Sequence, residues 1–153
     1  MLDSTNKLPR SCVIKNHHNH IIIRDQDLRD IKLTGCSNIM VETCKINFII
    51  FNKCSNLTLK EIKIRTKTSL TSSRDILIDE CNIYRIELIK SSSCELKKNN
   101  IVHLYEKSCE NNQYQSNFIK KFKTGGSKSS LIQQKNKMSK NNIKNIKYNA
   151  KLK

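Results

Sequence analysis

Histidine and cysteine side chains near the start of this chain could bind a metal ion. His18 lies 18 residues before Cys36, and His20 and Cys12 are close to it in sequence. Zinc favours nitrogen and sulfur ligands of this kind, so a site made by His18, His20 and Cys36, with Cys12, is one hypothesis. However, the chain lacks the paired cysteine spacing of zinc modules, and a His-rich segment also suits a solvated cap. We therefore predict no metal ligands and no cofactor.

Paired carboxylates could instead catalyse the cleavage of glycosidic bonds. Glu61 and Glu80 are separated by one period of the repeat described below, so they could lie close together. Lysines such as Lys60 and Lys98 flank them, and this positive charge should lower the pKa of both carboxyl groups. No glycine-rich phosphate loop, Ser-His-Asp set or Cys-His set can be recognised from spacing. We predict no catalytic residues and a protein that is not an enzyme, with a carbohydrate-active enzyme as the least supported reading.

The strongest chemical signal is the positive charge near the C-terminus. The last 38 residues, from Ser116 onward, hold 11 Lys and no acidic residue, whereas the preceding residues hold 18 Lys and Arg against 13 acids. Lysines of this kind neutralise nucleic-acid phosphates. The predicted nucleic-acid-binding residues are Lys120, Lys121, Lys123, Lys128, Lys135, Lys137, Lys140, Lys144 and Lys147.

The partner predicted from this charge is RNA before DNA, or another acidic macromolecular surface in a larger complex. The neighbouring aromatic residues are few, namely Tyr114, Phe118, Phe122 and Tyr148. Sequence-specific readout is therefore not expected, because base stacking needs such rings. The competing explanation is genome composition, because Lys, Asn and Ile are all encoded by AT-rich codons.

The residues from Ile21 to Cys109 must position any such site, and they repeat about every 18 residues. One period has apolar pairs two residues apart: Ile39 and Val41, Cys44 and Ile46, Ile49 and Phe51, closing at Cys54. A spacing of two places both members of a pair on one face of a strand. Three short strands a period cannot bury their own faces and must stack on the next period. This pattern predicts an all-β fold, a short parallel β-helix of about five turns.

Other architectures fit the spacing less well. A helical bundle needs apolar residues three and four apart, and a flat antiparallel sheet would not keep an 18-residue register. A left-handed coil of hexapeptides needs steps of six, whereas the inward pairs here step five, five and eight. We therefore expect a right-handed coil, with one extra residue inserted between Ile64 and Thr68.

Equivalent positions of the repeat predict columns of stacked side chains. The inward column is Ile46, Ile64, Ile83 and Ile101, and an outward column of alternating charge is Arg24, Glu42, Lys60, Asp79 and Lys97. Cys36 and Cys54 share a corner column, and Cys44 and Cys81 share an inward one. Buried free cysteines behave as small hydrophobes, so we predict reduced thiols and an intracellular protein of the cytoplasm or an organelle matrix.

The chain divides into three predicted parts: a leader or cap at 1–20, the parallel β-helix at 21–109, and a lysine-rich extension at 110–153. The extension should be irregular or helical, with Phe118, Ile119 and Phe122 packing as a short helix against the open end of the coil. The chain has no apolar run of 18 residues and no apolar segment typical of a secretory signal near its start. We therefore expect no membrane partner.

Three segments of the repeat resemble a known family. They are residues 35–41 (Gly-Cys-Ser-Asn-Ile-Met-Val), 53–59 (Lys-Cys-Ser-Asn-Leu-Thr-Leu) and 74–81 (Arg-Asp-Ile-Leu-Ile-Asp-Glu-Cys). They resemble the small right-handed β-helices of tubulin-folding cofactor C and of the C-terminal domain of cyclase-associated protein, over Ile21 to Cys109. Cofactor C uses a Gln-rich segment ending in an arginine to stimulate GTP hydrolysis. Arg74 follows two serines and Arg65 lies in a polar stretch, so neither matches. The resemblance implies the fold and a binding role.

Two functions follow as expectations. The first is a non-enzymatic scaffold of a larger assembly, such as a ribonucleoprotein, anchored to RNA or DNA by the basic extension. The alternative is a cofactor C-like module that binds tubulin, actin or a small GTPase, with acidic tubulin as the target of the basic chain.

Overall fold

The computed structural model of the chain describes residues 2–4, 8–125, 138–139 and 142–148, with side chains for 8–125, 143 and 144. Sixteen β-strands in these ranges form two parallel sheets. The odd-numbered strands form the first sheet: β1 (Leu2–Ser4), β3 (Ile21–Arg24), β5 (Ser37–Glu42), β7 (Ser55–Lys60), β9 (Arg74–Asp79), β11 (Ser92–Lys97), β13 (Gln113–Gln115) and β15 (Met138–Ser139). The even-numbered strands form the second sheet: β2 (Ser11–Lys15), β4 (Asp27–Thr34), β6 (Lys45–Asn52), β8 (Lys63–Thr71), β10 (Asn82–Ile89), β12 (Asn100–Lys107), β14 (Phe118–Gly125) and β16 (Asn142–Tyr148).

The two sheets wind into one coil. Each strand pairs in parallel with the strand two places later, so one odd and one even strand complete a turn. The strands β3 to β14 make six turns, one more than predicted. The predicted all-β parallel β-helix is therefore confirmed. The part of the chain that the structure describes contains no helix that is long and apolar enough to cross a membrane.

The even-numbered strands from β4 to β14 are bent. In β6 the buried side chains are Ile46, Ile49 and Phe51, and the three-residue step after Ile46 leaves Asn47 and Phe48 both on the outside. Strict alternation fails at this step, so the strand turns a corner there. The prediction of three strands a turn is wrong for this reason: the hydrogen-bonded ladder runs on through the bend, and two strands supply the buried pairs.

The core consists of side chains stacked turn upon turn. The predicted column of Ile46, Ile64, Ile83 and Ile101 is paired in register, and each of these residues is at most 2% exposed. Outside the coil, the predicted charge column is also in register: Arg24, Glu42, Lys60, Asp79 and Lys97. The Arg24 Nε and Glu42 Oε1 atoms lie 3.3 Å apart. Both columns confirm the 18-residue register.

All seven cysteines are buried and free, and most of them lie at corners. The Cys54 thiol donates to the carbonyl oxygens of Asn52 and, one turn earlier, Leu33, at 3.5 Å each. Ser91 occupies the same column, and its hydroxyl donates to Leu70 O and Ile89 O. Burial raises the pKa of the Cys81 thiol to about 12. The Cys54 and Cys81 thiols therefore act as protonated donors that satisfy backbone carbonyls, not as reactive thiolates.

The corners of the coil are residues in the left-handed backbone region, with φ between 49° and 63°. They fall into three columns: Asn16, Gly35, Lys53, Ser72, Lys90 and Ser108; Asn38, Asn56, Asp75, Ser93 and Asn111; and Asp25, Thr43, Glu61, Glu80, Lys98 and Ser116. Left-handed backbone costs a residue with a Cβ about 1 kcal/mol, less for Asn and Asp. From Gly35 onward, the residue after each corner is buried, so the corners set which side chains face the core.

The regular coil extends on both sides of the predicted range 21–109. On the N-terminal side of this range, β2 pairs with β4. On the C-terminal side, β13 and β14 continue the two sheets to Gly125. The predicted helix at Phe118, Ile119 and Phe122 is wrong, because these residues lie in β14. Ile119 and Phe122 are buried, and they are paired in register with Ile101 and Leu104 of β12.

The predicted one-residue insertion lies at a bend. β8 has nine residues, one more than β6 and β10, and its register shifts relative to both neighbours there. Ile64 and Thr68 keep their inward places, and the Thr66 hydroxyl donates to the Asn47 carbonyl oxygen at 2.7 Å. The extra residue is therefore absorbed on the outside of the coil without disturbing the core.

Candidate functional site

Only part of the predicted nucleic-acid-binding set lies on described side chains. Lys120, Lys121 and Lys123 lie on β14 and Lys144 lies on β16, and all four are exposed. The backbone of Lys147 belongs to β16. The remaining predicted lysines lie outside the described residues: Lys128, Lys135, Lys137 and Lys140.

The three lysines of β14 point outward because of the bend. Ile119, Phe122 and Thr124 are buried, so the three-residue step between Ile119 and Phe122 leaves both Lys120 and Lys121 outside, and alternation returns Lys123 to the same surface. β14 contains no acidic residue. One strand thus presents three positive charges to the solvent.

The register of the second sheet places these lysines beside aromatic residues. Arg85, His103 and Lys121 form one outward column on β10, β12 and β14, and Glu87, Tyr105 and Lys123 form the next. Apart from Glu87, these residues line a groove of about 630 Å³ on the outer face of the sheet, together with Tyr84. We call this the outer-face groove, and its side chains are Tyr84, Arg85, His103, Tyr105, Lys121 and Lys123.

The rings in the outer-face groove have defined contacts. Tyr84 and His103 meet edge to face, with ring centroids 5.4 Å apart and planes at 72°. The Lys123 Nζ atom lies 5.8 Å from the centroid of the Tyr105 ring, a cation–π contact. Arg85 and Lys67 both contact the Glu87 carboxylate at 2.6 Å, which fixes the guanidinium at the edge of the groove.

The electrostatics of the groove are positive. Partial burial lowers the pKa of His103, and the charges of Lys121, Arg85 and Lys120 lower it further. His103 is therefore neutral at pH 7, with one ring nitrogen as donor and the other as acceptor. The same cations that repel a proton from His103 attract an anion.

Tyr114, Phe118 and Phe122, which the sequence singled out, are not the exposed rings of the outer-face groove, and the side chain of Tyr148 lies outside the described residues. Tyr114 and Phe122 are buried in the core, and Phe118 lies 5.4 Å beneath the Lys144 ammonium, which leaves it 37% exposed. Tyr84 and Tyr105, which the sequence reasoning passed over, are the rings that face the lysines. The 18-residue register could have placed Tyr105 beside Lys123, but only the bend places Tyr84 on this face.

The structure does not bring together the residues of the hypothetical metal site. The Cys36 thiol is buried and donates to the carbonyl oxygens of Thr34 and Ile14, whereas His18 and His20 are exposed, and His18 contacts the Ser37 hydroxyl. Within the described ranges, no group of three potential ligands comes together. His18, His20 and Cys36 therefore do not form a site.

The paired carboxylates are surface corner residues. Glu61 and Glu80 occupy successive left-handed corners, and each forms an ion pair with a lysine: Glu61 with Lys60 at 3.5 Å and Glu80 with Lys98 at 2.9 Å. The hydrogen bond and charge of Lys98 lower the pKa of the Glu80 carboxyl. Glu80 is therefore ionised at neutral pH and unsuited to donate a proton in catalysis.

One carboxyl group lies inside the coil. Glu106 is 3% exposed, Asn112 Nδ2 donates to its Oε1 atom, and the buried Tyr114 also contacts it. Burial raises the pKa of Glu106, and the bonds from Asn112 and Tyr114 oppose this only in part. The groups form a closed internal network between the last turns.

This network makes stability depend on pH. A raised folded-state pKa means that the folded state holds its proton more firmly, so stability is complete below the ordinary value of 4.5 and falls as pH rises towards the folded pKa. Glu106→Gln keeps the acceptor for Asn112 but cannot ionise. We expect it to raise the free energy of unfolding by about 1–3 kcal/mol at pH 8 and to change it little at pH 4.

Urea unfolding followed by circular dichroism at pH 4, 6 and 8 measures this difference. The exposed Glu110→Gln change is the matched control and should leave the pH profile unchanged. A parent protein whose stability relative to Glu106→Gln stays constant from pH 4 to pH 8 would contradict the prediction.

Comparison with known proteins adds no relative: no protein-family model, curated protein or solved structure matches the chain.

Proposed function

We propose that this chain is a non-enzymatic β-helical scaffold protein of a larger assembly that binds nucleic acid, RNA before DNA, through its C-terminal lysines. The observation that supports this most directly is the arrangement of Lys120, Lys121 and Lys123. All three are exposed on one strand without an acidic residue, and the lysine-rich chain follows directly from that strand.

A comparison with the earlier turns supports the same proposal. There, several cations are paired with acids, namely Arg24 with Glu42, Arg65 with Asp27, and Lys98 with Glu80, whereas Lys45 and Lys63 have no ion pair among the described residues. In the described part of the chain, the three lysines of β14 have no such ion pair. Cations that are not neutralised internally are the ones that can replace counterions on a phosphate backbone.

The salt dependence of binding tests this proposal. If roughly 6 lysines neutralise phosphates, log affinity should fall with log salt at a slope of about −4 for a single strand and about −5 for a duplex. Replacing Lys120, Lys121 and Lys123 together by Gln should reduce the slope on a single strand by about 2. Fluorescence anisotropy with labelled RNA measures this slope. The salt concentration should vary from about 50 to about 200 mM, because phosphate contacts change affinity strongly over this range.

The matched control replaces three exposed lysines of the same sheet elsewhere, Lys15, Lys45 and Lys63, by Gln and should leave the slope unchanged. Substitutions are preferable to a chain ending at Gln115, because that chain would lose β14 and expose the edge of β12. Equal loss in both triple variants would move the site to another face. Absence of RNA and DNA binding at low salt would defeat the proposal.

The second candidate is a cofactor C-like binding module. It is supported by the Cys- and Asn-bearing corners, where Asn38 and Asn56 stand in register and Asn56 Nδ2 donates to Asn38 Oδ1 at 2.7 Å. Co-sedimentation with microtubules or actin filaments, in the absence of nucleic-acid binding, would favour this candidate over the first.

A further inference from the structure

We propose that the outer-face groove holds an unpaired nucleobase against Tyr84 and Tyr105, so that the chain prefers single-stranded nucleic acid over a duplex. This inference rests on the proposed nucleic-acid function and adds the class of strand and the residues that recognise it. The groove combines flat aromatic surface with unneutralised cations, which is the combination that single-strand binding uses.

The rings are accessible. Tyr84 is 51% exposed, so about half of its ring surface is open to a ligand. Its ring stands at 72° to that of His103, so the two rings form a corner into which a flat group fits. The neutral imidazole of His103 can then exchange a hydrogen bond with the edge of that group.

Tyr105 is covered by a movable group. The Lys123 ammonium lies over its ring at 5.8 Å, and it is carried by a flexible side chain that is exposed to solvent. A base that stacks on Tyr105 can displace this ammonium towards the adjoining phosphate. The exchange keeps the cation near a negative charge and replaces a weak surface contact by base stacking.

The charges beside the rings select an anion. Lys121 lies next to His103 in register and Lys123 lies next to Tyr105, on a strand without acids. The one carboxylate of the groove edge, Glu87, is occupied by Arg85 and Lys67. A duplex keeps the faces of its bases within its own stack, so only an unpaired strand can offer a base and a phosphate here together.

The first test compares the affinity of the full-length chain for hexauridine, hexathymidine and an RNA duplex at fixed low salt. Tyr84→Leu and Tyr105→Leu should each weaken binding of the single strands about 10-fold and leave duplex binding unchanged. Tyr105→Phe keeps the ring and should retain single-strand affinity. The relative affinities for hexauridine and hexathymidine show which of these two strands the groove binds more tightly.

The matched control is Phe48→Leu. Phe48 lies on the outer face of the same sheet beneath the Lys32 ammonium at 5.3 Å, so it repeats the cation–π pair of Lys123 and Tyr105 outside the groove. This change should leave all affinities unchanged. Equal effects of Phe48→Leu and Tyr105→Leu, or tighter binding of the duplex than of either single strand, would overturn the inference.

The second test needs no variant. His103 faces Tyr84 and Arg85 on β10 and Lys120 and Lys121 on β14, and a bound phosphate would offset the charges that lower its pKa. Titration of His103 by NMR should therefore show a higher pKa with saturating hexauridine than without it. An unchanged pKa at saturation places the strand elsewhere and overturns the inference, while the salt-dependent binding of the proposed function would persist. If no nucleic acid binds at all, the proposed function itself has failed.

Discussion

Replacing Ile64 by Asp should unfold the coil at room temperature. Ile64 is 2% exposed and is stacked between Ile46 and Ile83 in the aliphatic column. A carboxylate there would have no partner, and burying an unpaired charge costs several kcal/mol after relaxation. That cost is comparable with the whole stability of a domain of this size, about 5–15 kcal/mol. Far-ultraviolet circular dichroism and thermal melting of the purified variant would detect the loss.

The adjoining residue supplies the control. Lys63 lies on the same strand with its side chain exposed, so Lys63→Asp makes a larger change in net charge without burying it. Its stability should stay within about 0.5 kcal/mol of the parent. Ile64→Val should cost about 1 kcal/mol, the usual cost of removing one buried methylene. A cooperative parent-like transition in Ile64→Asp would contradict the register of the coil.

Replacing Asn99 by Ala should destabilise the protein by about 3–5 kcal/mol. Asn99 is 2% exposed, its Oδ1 atom accepts from the Cys81 amide at 2.9 Å, and its Nδ2 atom donates to Ile78 O at 2.9 Å. It also donates to Asn117 Oδ1 at 3.0 Å. Alanine would remove the partner that Asn99 provides for the buried Cys81 amide and for Ile78 O, and each such loss costs about 1–3 kcal/mol. Asn117 Oδ1 would keep the bond that it accepts from the backbone amide of residue 99. Urea unfolding provides the measurement.

The repeat itself suggests the rescue. Cys44 and Cys81 occupy the same column as Asn99, and the Cys81 thiol donates to Leu59 O one turn earlier. Asn99→Cys should therefore recover part of the stability that Asn99→Ala loses. The exposed neighbour Asn100 serves as the control, since Asn100→Ala should cost less than about 0.5 kcal/mol. Equal stability of Asn99→Ala and Asn100→Ala would show that Asn99 is not an interior ladder residue.

Periodicity predicted the aliphatic turns well, because apolar residues are unambiguous markers of an inward position. The column through Ile46 and the insertion before Thr68 followed from spacing alone. The turn of β13 and β14 was missed because Asn112, Asn117 and Tyr114 take inward places there. Asparagine in a sequence resembles a turn residue, and its inward role depends on carbonyl and amide groups that only the wound chain brings within reach, as with Asn117 Nδ2 and Leu96 O at 2.7 Å.

The sequence indicated corners next to Cys36 and Cys54, but not the left-handed backbone of these corners. The chain contains 3 Gly, yet the left-handed corner positions in the described residues are held mainly by Asn, Asp, Ser, Lys and Glu. Lys53 and Glu80 carry no turn signal in their residue type, because the stacking of neighbouring turns overrides their weak backbone preference. At Gly35 a Cβ atom would lie 2.5 Å from Asn16 Oδ1, so there the glycine also makes room for a side chain of the preceding turn.

The candidate site was predicted only in its charge. Lys120, Lys121 and Lys123 were singled out by the lack of acids around them, which composition alone reveals. Their relation to Tyr84 and Tyr105 depends on the bend of the even strands and on stacking between β10, β12 and β14. Those are tertiary features, so they could not be predicted while the lysine-rich extension was treated as separate from the coil.

The extra residue of β8 also has a practical meaning for protein engineering. Because Thr66 is accommodated on the outer bend while Ile64 and Thr68 keep their places, the corresponding bends of other turns are natural positions for grafting. A foreign peptide inserted between Asn47 and Phe48 would extend from the outer surface of the coil, so its length should not affect the packing of the core. Several such grafts, one per turn, would be displayed in a row with a spacing of about 4.8 Å per turn between their attachment points.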